Sequence, residues 1–313
     1  MRITFLGTSS GVPTRSRNVS SLALNLPQRG EVWLFDCGEG TQHQIIRSDI
    51  SISRITRIFI THLHGDHLFG LMGLLATRGM AGANLPVDVY APPEIEDYFM
   101  AASRYTRTQF SYPVQIHTVK QGVIFEDEDF VVDCMPLKHR ITAFGYRVTE
   151  RDRPGHFFPE RAAALGIPAG PLYGRLKRGE TIRLEDGREV SGAELCGPAQ
   201  PGRRLVYCTD TIYCENSIKL AEDADLLIHE ATFSERDEDL AYRGMHSTTT
   251  MAAKVASASD AKRLIITHFS PRYATEASIT PADLIQEARA IFPETEMAHD
   301  FLTVDITQRN PPD

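Results

Sequence analysis

The most informative stretch of the sequence is Thr61-His62-Leu63-His64-Gly65-Asp66-His67. It places three imidazoles and one carboxylate within six positions of the chain. His62 and His64 are two residues apart, so both side chains point to one side of an extended backbone. Gly65 permits a sharp turn, after which Asp66 and His67 can face a second position. Imidazole and carboxylate groups together suit zinc or a similar divalent ion, so the motif predicts a metal site.

Short apolar runs recur along the chain, and each ends at a polar residue that can bind metal or transfer protons. Such runs, rich in Ile, Val and Leu, are typical of buried strands. They lead into His62, His139, Asp210, Glu230 and His268. Helical periodicity lies between them, at 70–78, 94–105, 248–257 and 281–292. Alternating strands and helices indicate an α/β layered fold, in which sites gather beyond the carboxyl ends of strands.

The composition excludes disordered, fibrous and membrane-spanning classes. The chain has 313 residues, of which 42% are hydrophobic and 24% charged, as in ordinary globular proteins. Its longest apolar stretch, 68–76, is shorter than the roughly 20 residues of a membrane span. The five cysteines form no CxxC pair and no apolar leader is visible, so we expect a cytoplasmic protein without membrane association. The net charge of −8 argues against a surface coated in nucleic acid, but it allows a local basic patch.

The segment 151–203 differs from the rest of the chain. Its stretch 166–179 is rich in glycine and proline, which favours an exposed loop or arm. Between 151 and 183, seven Arg and Lys residues stand against three Asp and Glu, a local excess of four positive charges. We therefore predict a single domain over 1–313 with an inserted arm at 151–203. The alternative is a solvated insertion that has no partner.

Three further strand-end donors, His139, Asp210 and His268, extend the motif of 61–67. A pair of ions needs more donors than one motif supplies, and the carboxylate of Asp210 suits a bridge between two cations. A structural zinc site would favour cysteine ligands, and the sequence has no cysteine cluster. The pattern therefore predicts a catalytic, dinuclear site.

With several shorter motifs, these residues resemble the ribonuclease Z family of the metallo-β-lactamase superfamily. The His-x-His-x-Asp-His pattern is common to the superfamily. The family is indicated by further pieces: Phe5-Leu6-Gly7-Thr8, Pro13-Thr14-Arg15-Ser16-Arg17-Asn18, Phe35-Asp36-Cys37-Gly38-Glu39-Gly40-Thr41-Gln42, His229-Glu230-Ala231-Thr232, His246-Ser247-Thr248 and the Gly/Pro-rich arm. The resemblance extends from Met1 to about Ile306. It implies a four-layer αβ/βα sandwich with a protruding substrate-binding arm, in a length similar to the family's short form.

The resemblance also implies a ligand set and a reaction. Two zinc ions per chain would be held in two groups: His62, His64 and His139 for the first, Asp66, His67 and His268 for the second, and Asp210 between them. Asp66 would accept the proton of the attacking water, and His246, oriented by Glu230, would protonate the leaving 3′ oxygen. The implied enzyme is a homodimeric endoribonuclease. It removes the 3′ trailer from tRNA precursors and leaves a 3′-hydroxyl on the tRNA and a 5′-phosphate on the trailer.

One departure from the family pattern is visible, because Thr209 stands where the family often has glycine before the bridging Asp. The side chain of Thr209 would lie beside the metals and could shift the end of the strand. Asp36 has two interpretations. We expect it to cap a loop, and the alternative is an acceptor that holds a ligand imidazole.

Two sets of residues are candidates for RNA contact: Arg15, Arg17 and Asn18 in one loop, and Lys177 and Arg178, which we expect at the tip of a Gly-rich loop. Guanidinium groups match phosphate geometry, whereas the alternative for each set is a solvated loop.

Two other functions stay open. One is a superfamily hydrolase of small phosphodiesters, arylsulfates or thioesters, which would have no use for a basic arm. The other is a non-catalytic RNA-binding module that keeps a structural metal, against which the complete ligand set argues.

Overall fold

The computed structural model describes residues 1–274 and 278–307. Its strands are β1 (Arg2–Gly7), β2 (Ser21–Leu26), β3 (Glu31–Phe35), β4 (Ile55–Phe59), β5 (Val87–Ala91), β6 (Val114–Thr118), β7 (Gly122–Glu126), β8 (Phe130–Leu137), β9 (Ala143–Glu150), β10 (Thr181–Arg183), β11 (Glu189–Ser191), β12 (Arg204–Cys208), β13 (Leu226–Glu230), β14 (Leu264–Thr267), β15 (Thr295–Met297) and β16 (Thr303–Asp305). Its helices are α1 (Thr41–Ile46), α2 (Gly65–Leu68), α3 (Leu71–Met80), α4 (Ile95–Thr106), α5 (Pro159–Ala164), α6 (Pro171–Lys177), α7 (Glu215–Ala221), α8 (Glu238–Gly244), α9 (Thr249–Ala258) and α10 (Pro281–Arg289).

The chain divides into two compact units, and the larger contains Met1–Asp127, Val131–Val148 and Arg204–Ile306. Two seven-stranded sheets form this unit. Their strand orders are β16-β1-β2-β3-β4-β5-β6 and β15-β14-β13-β12-β9-β8-β7. Strands β3 to β6 pair in parallel, as do β12 to β15. Parallel neighbours need crossover connections, and helices such as α3, α4, α7 and α9 lie between these strands in the chain.

Side-chain alternation along the strands creates the layers. In β3, Leu34 lies in the apolar cluster that contains Leu71 and Leu74 of α3, whereas Phe35 points to the opposite face. The ring of Phe35 lies 5.6 Å from that of Tyr207 on β12 in the second sheet. The second sheet in turn shares an apolar cluster with α9 and α10. The order helix, sheet, sheet, helix confirms the predicted four-layer α/β sandwich.

The four helices that periodicity predicts are α3, α4, α9 and α10. Helix α10 begins with Thr280 as its N-cap in a capping box and Pro281 in its first turn. Helix α3 buries Leu71, Leu74 and Leu75 in the core. Among the described residues, no helix is long and apolar enough to cross a membrane.

The second unit contains Glu128–Phe130, Thr149–Arg203 and Thr307 among its described residues. It has an apolar cluster of its own, which includes Ile167, Leu176, Ile182 and Leu195. The expectation that Lys177 and Arg178 tip a loop is wrong, because Lys177 ends α6 and Arg178 is its C-cap. Proline at the first position of α6 and Gly179 just after its end, at φ 83°, are helix boundaries. Pro171 and Gly179 therefore mark the two ends of a helix, although the sequence pattern alone indicates a loop.

Candidate metal centre

The metal-site candidates meet because each follows the carboxyl end of a strand. His62 follows β4, His139 follows β8, Asp210 follows β12 and His268 follows β14. The short helix α2 begins at Gly65 and carries Asp66 and His67 in its first turn. All seven predicted ligands belong to the larger unit, and the structure brings them together in two groups.

The first group consists of His62, His64, His139 and Asp210, whose candidate ligand atoms lie within 4.8 Å of one another. His64 Nδ1 is 3.0 Å from His62 Nε2 and 3.3 Å from His139 Nε2. Burial lowers the pKa of all three imidazoles below the ordinary histidine value. They are therefore neutral near pH 7, which is the state in which imidazole binds a metal.

The second group consists of Asp66, His67 and His268. His67 Nε2 lies 3.3 Å from His268 Nε2 and 3.4 Å from Asp66 Oδ2. Asp210 stands between the groups. Its Oδ1 is 3.1 Å from His67 Nε2 and 3.2 Å from His268 Nε2, whereas its Oδ2 is 3.6 Å from His62 Nε2. One carboxylate oxygen thus faces each group, which is the arrangement a bridging ligand needs.

Four imidazoles are held from outside through Nδ1, so that Nε2 faces the centre. The acceptors are Thr61 Oγ1 for His62, Asp36 Oδ2 for His67, the Met245 carbonyl for His139 and Thr232 Oγ1 for His268, at 2.8–3.1 Å. Partners of this kind set the tautomer and orientation of metal-binding imidazoles. Thr209 takes a similar part, because its hydroxyl donates to Asp210 Oδ1 at 2.8 Å.

The donor set fits a pair of zinc-type ions. Zinc–nitrogen bonds of about 2.05 Å in tetrahedral geometry separate two imidazole nitrogens by about 3.3 Å, close to the 3.0–3.3 Å found here. The charges agree as well. Burial lowers the pKa of His67, but Asp210, Asp36 and Asp66 outweigh it and raise that pKa well above the ordinary value. Three carboxylates around one buried imidazole therefore attract positive charge, which a divalent cation can supply.

Three residues of the site have left-handed backbone conformations that side chains other than glycine rarely adopt. They are Asp36, Asp210 and His268, with φ of 58°, 52° and 61°. Each comes directly or almost directly after a strand, where the turn redirects its side chain. Such conformations cost on the order of 1–3 kcal/mol each and concentrate at functional sites.

Asp36 does more than cap a loop, which is the role that its position in the sequence favours. It is buried without exposed surface, and it accepts hydrogen bonds from His67 Nδ1 and the Tyr207 hydroxyl. It also accepts from the backbone N–H and the hydroxyl of Thr61. The loop-capping interpretation is therefore too weak, because the carboxylate positions a candidate metal ligand. Strand pairing explains the contact, since Phe35 lies opposite Phe59 and the chain beyond each strand stays adjacent.

Beside the two groups, His246 Nδ1 donates to Glu230 Oε1 at 3.0 Å. The other carboxylate oxygen of Glu230 accepts from Thr232 Oγ1 at 2.6 Å and Ser247 N at 3.0 Å. Burial lowers the pKa of His246, but the charge and hydrogen bond of Glu230 outweigh it and raise that pKa to about 9. The carboxylate of Glu230 thus favours the protonated form of His246. His246 also forms a third possible ligand group with Asp210 and His268.

The candidate RNA residues of the 13–18 loop have different environments. Arg15 is exposed. Arg17 is partly buried, because its Nη1 donates to Thr8 Oγ1 and the Ala298 carbonyl at 2.7 Å. The Asn18 side chain donates to the Glu39 carbonyl at 2.8 Å. A cavity of about 330 Å³ is lined by all three and by Arg47. Arg47 lies just beyond α1 and no motif pointed to it.

Comparisons with known proteins agree with this architecture. Residues 1–150 match the family model described as Anti-Pycsar protein Apyc1, and residues 181–269 match the Beta-lactamase superfamily domain. The structure of YhfI from Bacillus subtilis, described as a metallo-beta-lactamase fold protein, gives a TM-score of 0.67. Its identity is 17%, and the match covers 97% of this chain and 98% of that one. At this identity the similarity concerns the fold alone. The fold and these matches define the class: the chain has the metallo-β-lactamase fold.

Similar sequences identify the family. The chain is 62% identical to a ribonuclease Z of Nostoc sp. (strain PCC 7120), over 100% of this chain and 97% of the relative. It is 62% identical to that of Cyanothece sp. (strain PCC 7425), with 100% and 98% covered. The structure of human tRNase Z, short form, has a TM-score of 0.67 at 33% identity, with 98% and 100% covered. The chain belongs to the ribonuclease Z family, whose members are hydrolases of the endoribonuclease class.

Proposed function

We propose that this enzyme is a zinc-dependent endoribonuclease that removes the 3′ trailer from tRNA precursors. The products are a tRNA with a 3′-hydroxyl and a trailer with a 5′-phosphate. One observation carries the proposal: two groups of candidate ligands share Asp210 and adjoin the Glu230–His246 pair. The substrate comes from the similarity to ribonuclease Z sequences and to human tRNase Z.

The first ion would be held by His62, His64 and His139, the second by Asp66, His67 and His268, with Asp210 shared. Bound there, zinc supplies Lewis acidity that acidifies a water and neutralises charge on the phosphodiester. The protein contributes neutral, oriented imidazoles and a carboxylate whose two oxygens face the two groups.

Two residues move the protons of the reaction. Asp66 accepts the proton of the attacking water. Its Oδ2 is held by the Gly11 backbone N–H at 2.8 Å and lies 3.6 Å from His268 Nε2. His246 donates a proton to the leaving 3′ oxygen, because Glu230 keeps it charged. Glu230 is a positioning residue, since its oxygens are occupied by Thr211 N, Thr232 Oγ1, Ser247 N and His246 Nδ1.

RNA binding depends on basic groups outside the metal centre. Arg15 and Arg17, with Asn18, line a cavity with Arg47, and Lys177 and Arg178 are exposed at the end of α6. Guanidinium groups grip phosphate with fork geometry, and tRNA is recognised largely by shape and backbone. The enzyme acts as a cytoplasmic homodimer in this proposal, with the inserted segment 151–203 as its RNA-binding arm.

The decisive experiment is incubation of the purified protein with a tRNA precursor, with and without chelator, followed by mapping of both product ends. We expect a single cut that chelation abolishes and zinc restores, and elemental analysis should find close to two ions per chain. His64→Ala should lose an ion and nearly all cleavage. The matched control is His117→Ala. His117 lies on β6, outside the site, and pairs with Asp88 on β5.

Cleavage that survives chelation, or a His64→Ala variant with full metal content, would overturn the metal assignment. Hydrolysis of small phosphodiesters without any cut in the precursor would instead support the small-ester hydrolase.

A further inference from the structure

An open groove adjoins the metal centre on the side of His64 and Asp66. It encloses about 370 Å³, and its lining includes Val12, Pro13, Glu39 and Phe69. The loop that carries Val12 is tied to the centre, because the Gly11 N–H donates to Asp66 Oδ2 at 2.8 Å. A molecule in this groove therefore lies directly beside the candidate ligands.

Phe69 is an exposed aromatic residue in the lining of the groove. It follows α2 directly, and 64% of its surface is exposed. Its ring rests on the backbone of Gly65, where an added Cβ would lie 2.2 Å from the ring carbon Cε2. Gly65 is the residue between His64 and Asp66, so the ring is held one position from two candidate ligands. Val12, which also lines the groove, is 56% exposed.

The charges of the groove select its occupant. Its lining contains two carboxylates, Glu39 and Asp66, and no lysine or arginine. Apart from the candidate ligands His64 and Asp66, the lining offers Glu39 and apolar surface and no cation for a further phosphate. The cavity lined by Arg15, Arg17 and Arg47, by contrast, offers three guanidinium groups. A nucleobase is neutral and has a flat π face that can stack on the ring of Phe69. In A, C and G it also carries an exocyclic amine that can donate a hydrogen bond to a carboxylate.

We infer that this groove holds the nucleobase of a nucleotide flanking the scissile phosphate, stacked on Phe69. The inference rests on the proposed function, because it takes the substrate to be the single-stranded 3′ region of an RNA. Bases in single strands are recognised by stacking on aromatic side chains. Phe69 acts as a binding residue that fixes the position of the chain at the metals and takes no part in proton transfer.

The test is a double-mutant cycle between protein and RNA. Precursors with one abasic nucleotide, at each of the two positions on either side of the cut, are compared with the intact precursor. In the wild type, one abasic position should lower kcat/KM about 5- to 150-fold, which is the equivalent of about 1–3 kcal/mol for one stacked base. In Phe69→Ala, the intact precursor should lose a similar factor, and the abasic change should then add less than about twofold.

Two variants and a binding measurement make the outcome specific. Phe69→Trp should restore both kcat/KM and the sensitivity to the abasic nucleotide. Tyr105→Ala removes an aromatic that is 81% exposed on α4 and should change neither. The same cycle is run on the affinity for a fluorescent single-stranded trailer in chelator, with assembly checked by sedimentation. If Phe69→Ala leaves the abasic effect unchanged at every position, the groove does not hold a base.

The measurement in chelator separates the two proposals. A wild type that binds the trailer with Phe69-dependent abasic sensitivity but cuts no precursor would sink the tRNA-processing proposal and keep the groove. If the wild type cuts the precursor correctly but the abasic effect does not depend on Phe69, the tRNA-processing proposal stands and the groove proposal is refuted.

Discussion

Asp36→Asn tests whether the buried carboxylate sets the tautomer of His67. The side chain of Asp36 accepts from His67 Nδ1 at 2.8 Å, from Tyr207 at 3.2 Å and from Thr61 N at 2.8 Å. An asparagine has one acceptor and one donor end. The donor end cannot face the backbone N–H of Thr61, so it must face His67 and Tyr207. The Tyr207 hydroxyl can rotate to accept, but His67 can accept only by moving its proton from Nδ1 to Nε2.

A protonated Nε2 cannot bind the second ion. The variant therefore either changes the tautomer or leaves two donors facing each other, and the lost bond to a charged group is worth about 1.5–3 kcal/mol. Losses of outer partners of metal-binding histidines lower metal affinity 10- to 100-fold, which is about 1.4–2.7 kcal/mol. The two ranges agree, so we expect the zinc affinity of the second group, which contains His67, to fall 10- to 100-fold. The first group keeps all its outer partners and should change little.

The assay is competition for zinc against a chromophoric chelator, with stoichiometry from elemental analysis and folding followed by near-ultraviolet circular dichroism. The matched control is Asp88→Asn, which makes the same change in a carboxylate–imidazole pair on β5 and β6. That variant should bind zinc as the wild type does. If Asp36→Asn is folded and both zinc affinities stay within twofold of wild type, the positioning role of Asp36 is refuted.

Three further predictions concern RNA grip, stability and assembly. Lys177→Ala should weaken precursor binding and lower the slope of log affinity against log salt by about 0.7–0.9. Arg188→Ala is the control, because Arg188 is paired with Asp186 in the same unit. An unchanged slope in Lys177→Ala would exclude a phosphate contact of Lys177. Glu150→Gln should reduce the stability of the smaller unit by about 1.5–3 kcal/mol near pH 7, because a neutral amide replaces the carboxylate that pairs with Arg203 and Arg153 at 2.6 Å. Burial raises the pKa of Glu150, but Arg203 outweighs it and lowers that pKa below the ordinary value, so the stabilisation is complete above that value and is lost as the pH falls through the lowered pKa. Hydrogen exchange should therefore show the difference between wild type and variant shrinking in acid, and a difference constant with pH would contradict the ion pair. Mixed dimers that contain one Lys177→Ala, Arg178→Ala subunit and one His64→Ala subunit should cleave the precursor better than either homodimer. If mass measurement confirms that subunits have exchanged and cleavage does not recover, each subunit acts alone.

Local patterns predict much of this fold because they depend on neighbours in the chain. The alternation in β3 sends Leu34 to the helix side and Phe35 to the sheet interface, and such alternation is visible in sequence. The capping residues of α10 are equally local. Local patterns fail at the Gly/Pro-rich stretch. Proline and glycine at the ends of α6 look like loop residues in the sequence, and only the buried contacts of Leu176 distinguish them as helix ends.

The identity of the donors and the local geometry within 61–67 follow from the amino-acid sequence alone. The sequence could also place His139, Asp210 and His268 after strands, because short apolar runs are recognisable. Which of them meet was decided only by the tertiary structure. His67 and His268 are 201 residues apart in the chain and 3.3 Å apart at Nε2, and Asp36 reaches His67 only because β3 lies beside β4. These contacts arise where two sheets pack through a layer of aromatic rings, and that packing is a property of the whole chain rather than of any local spacing.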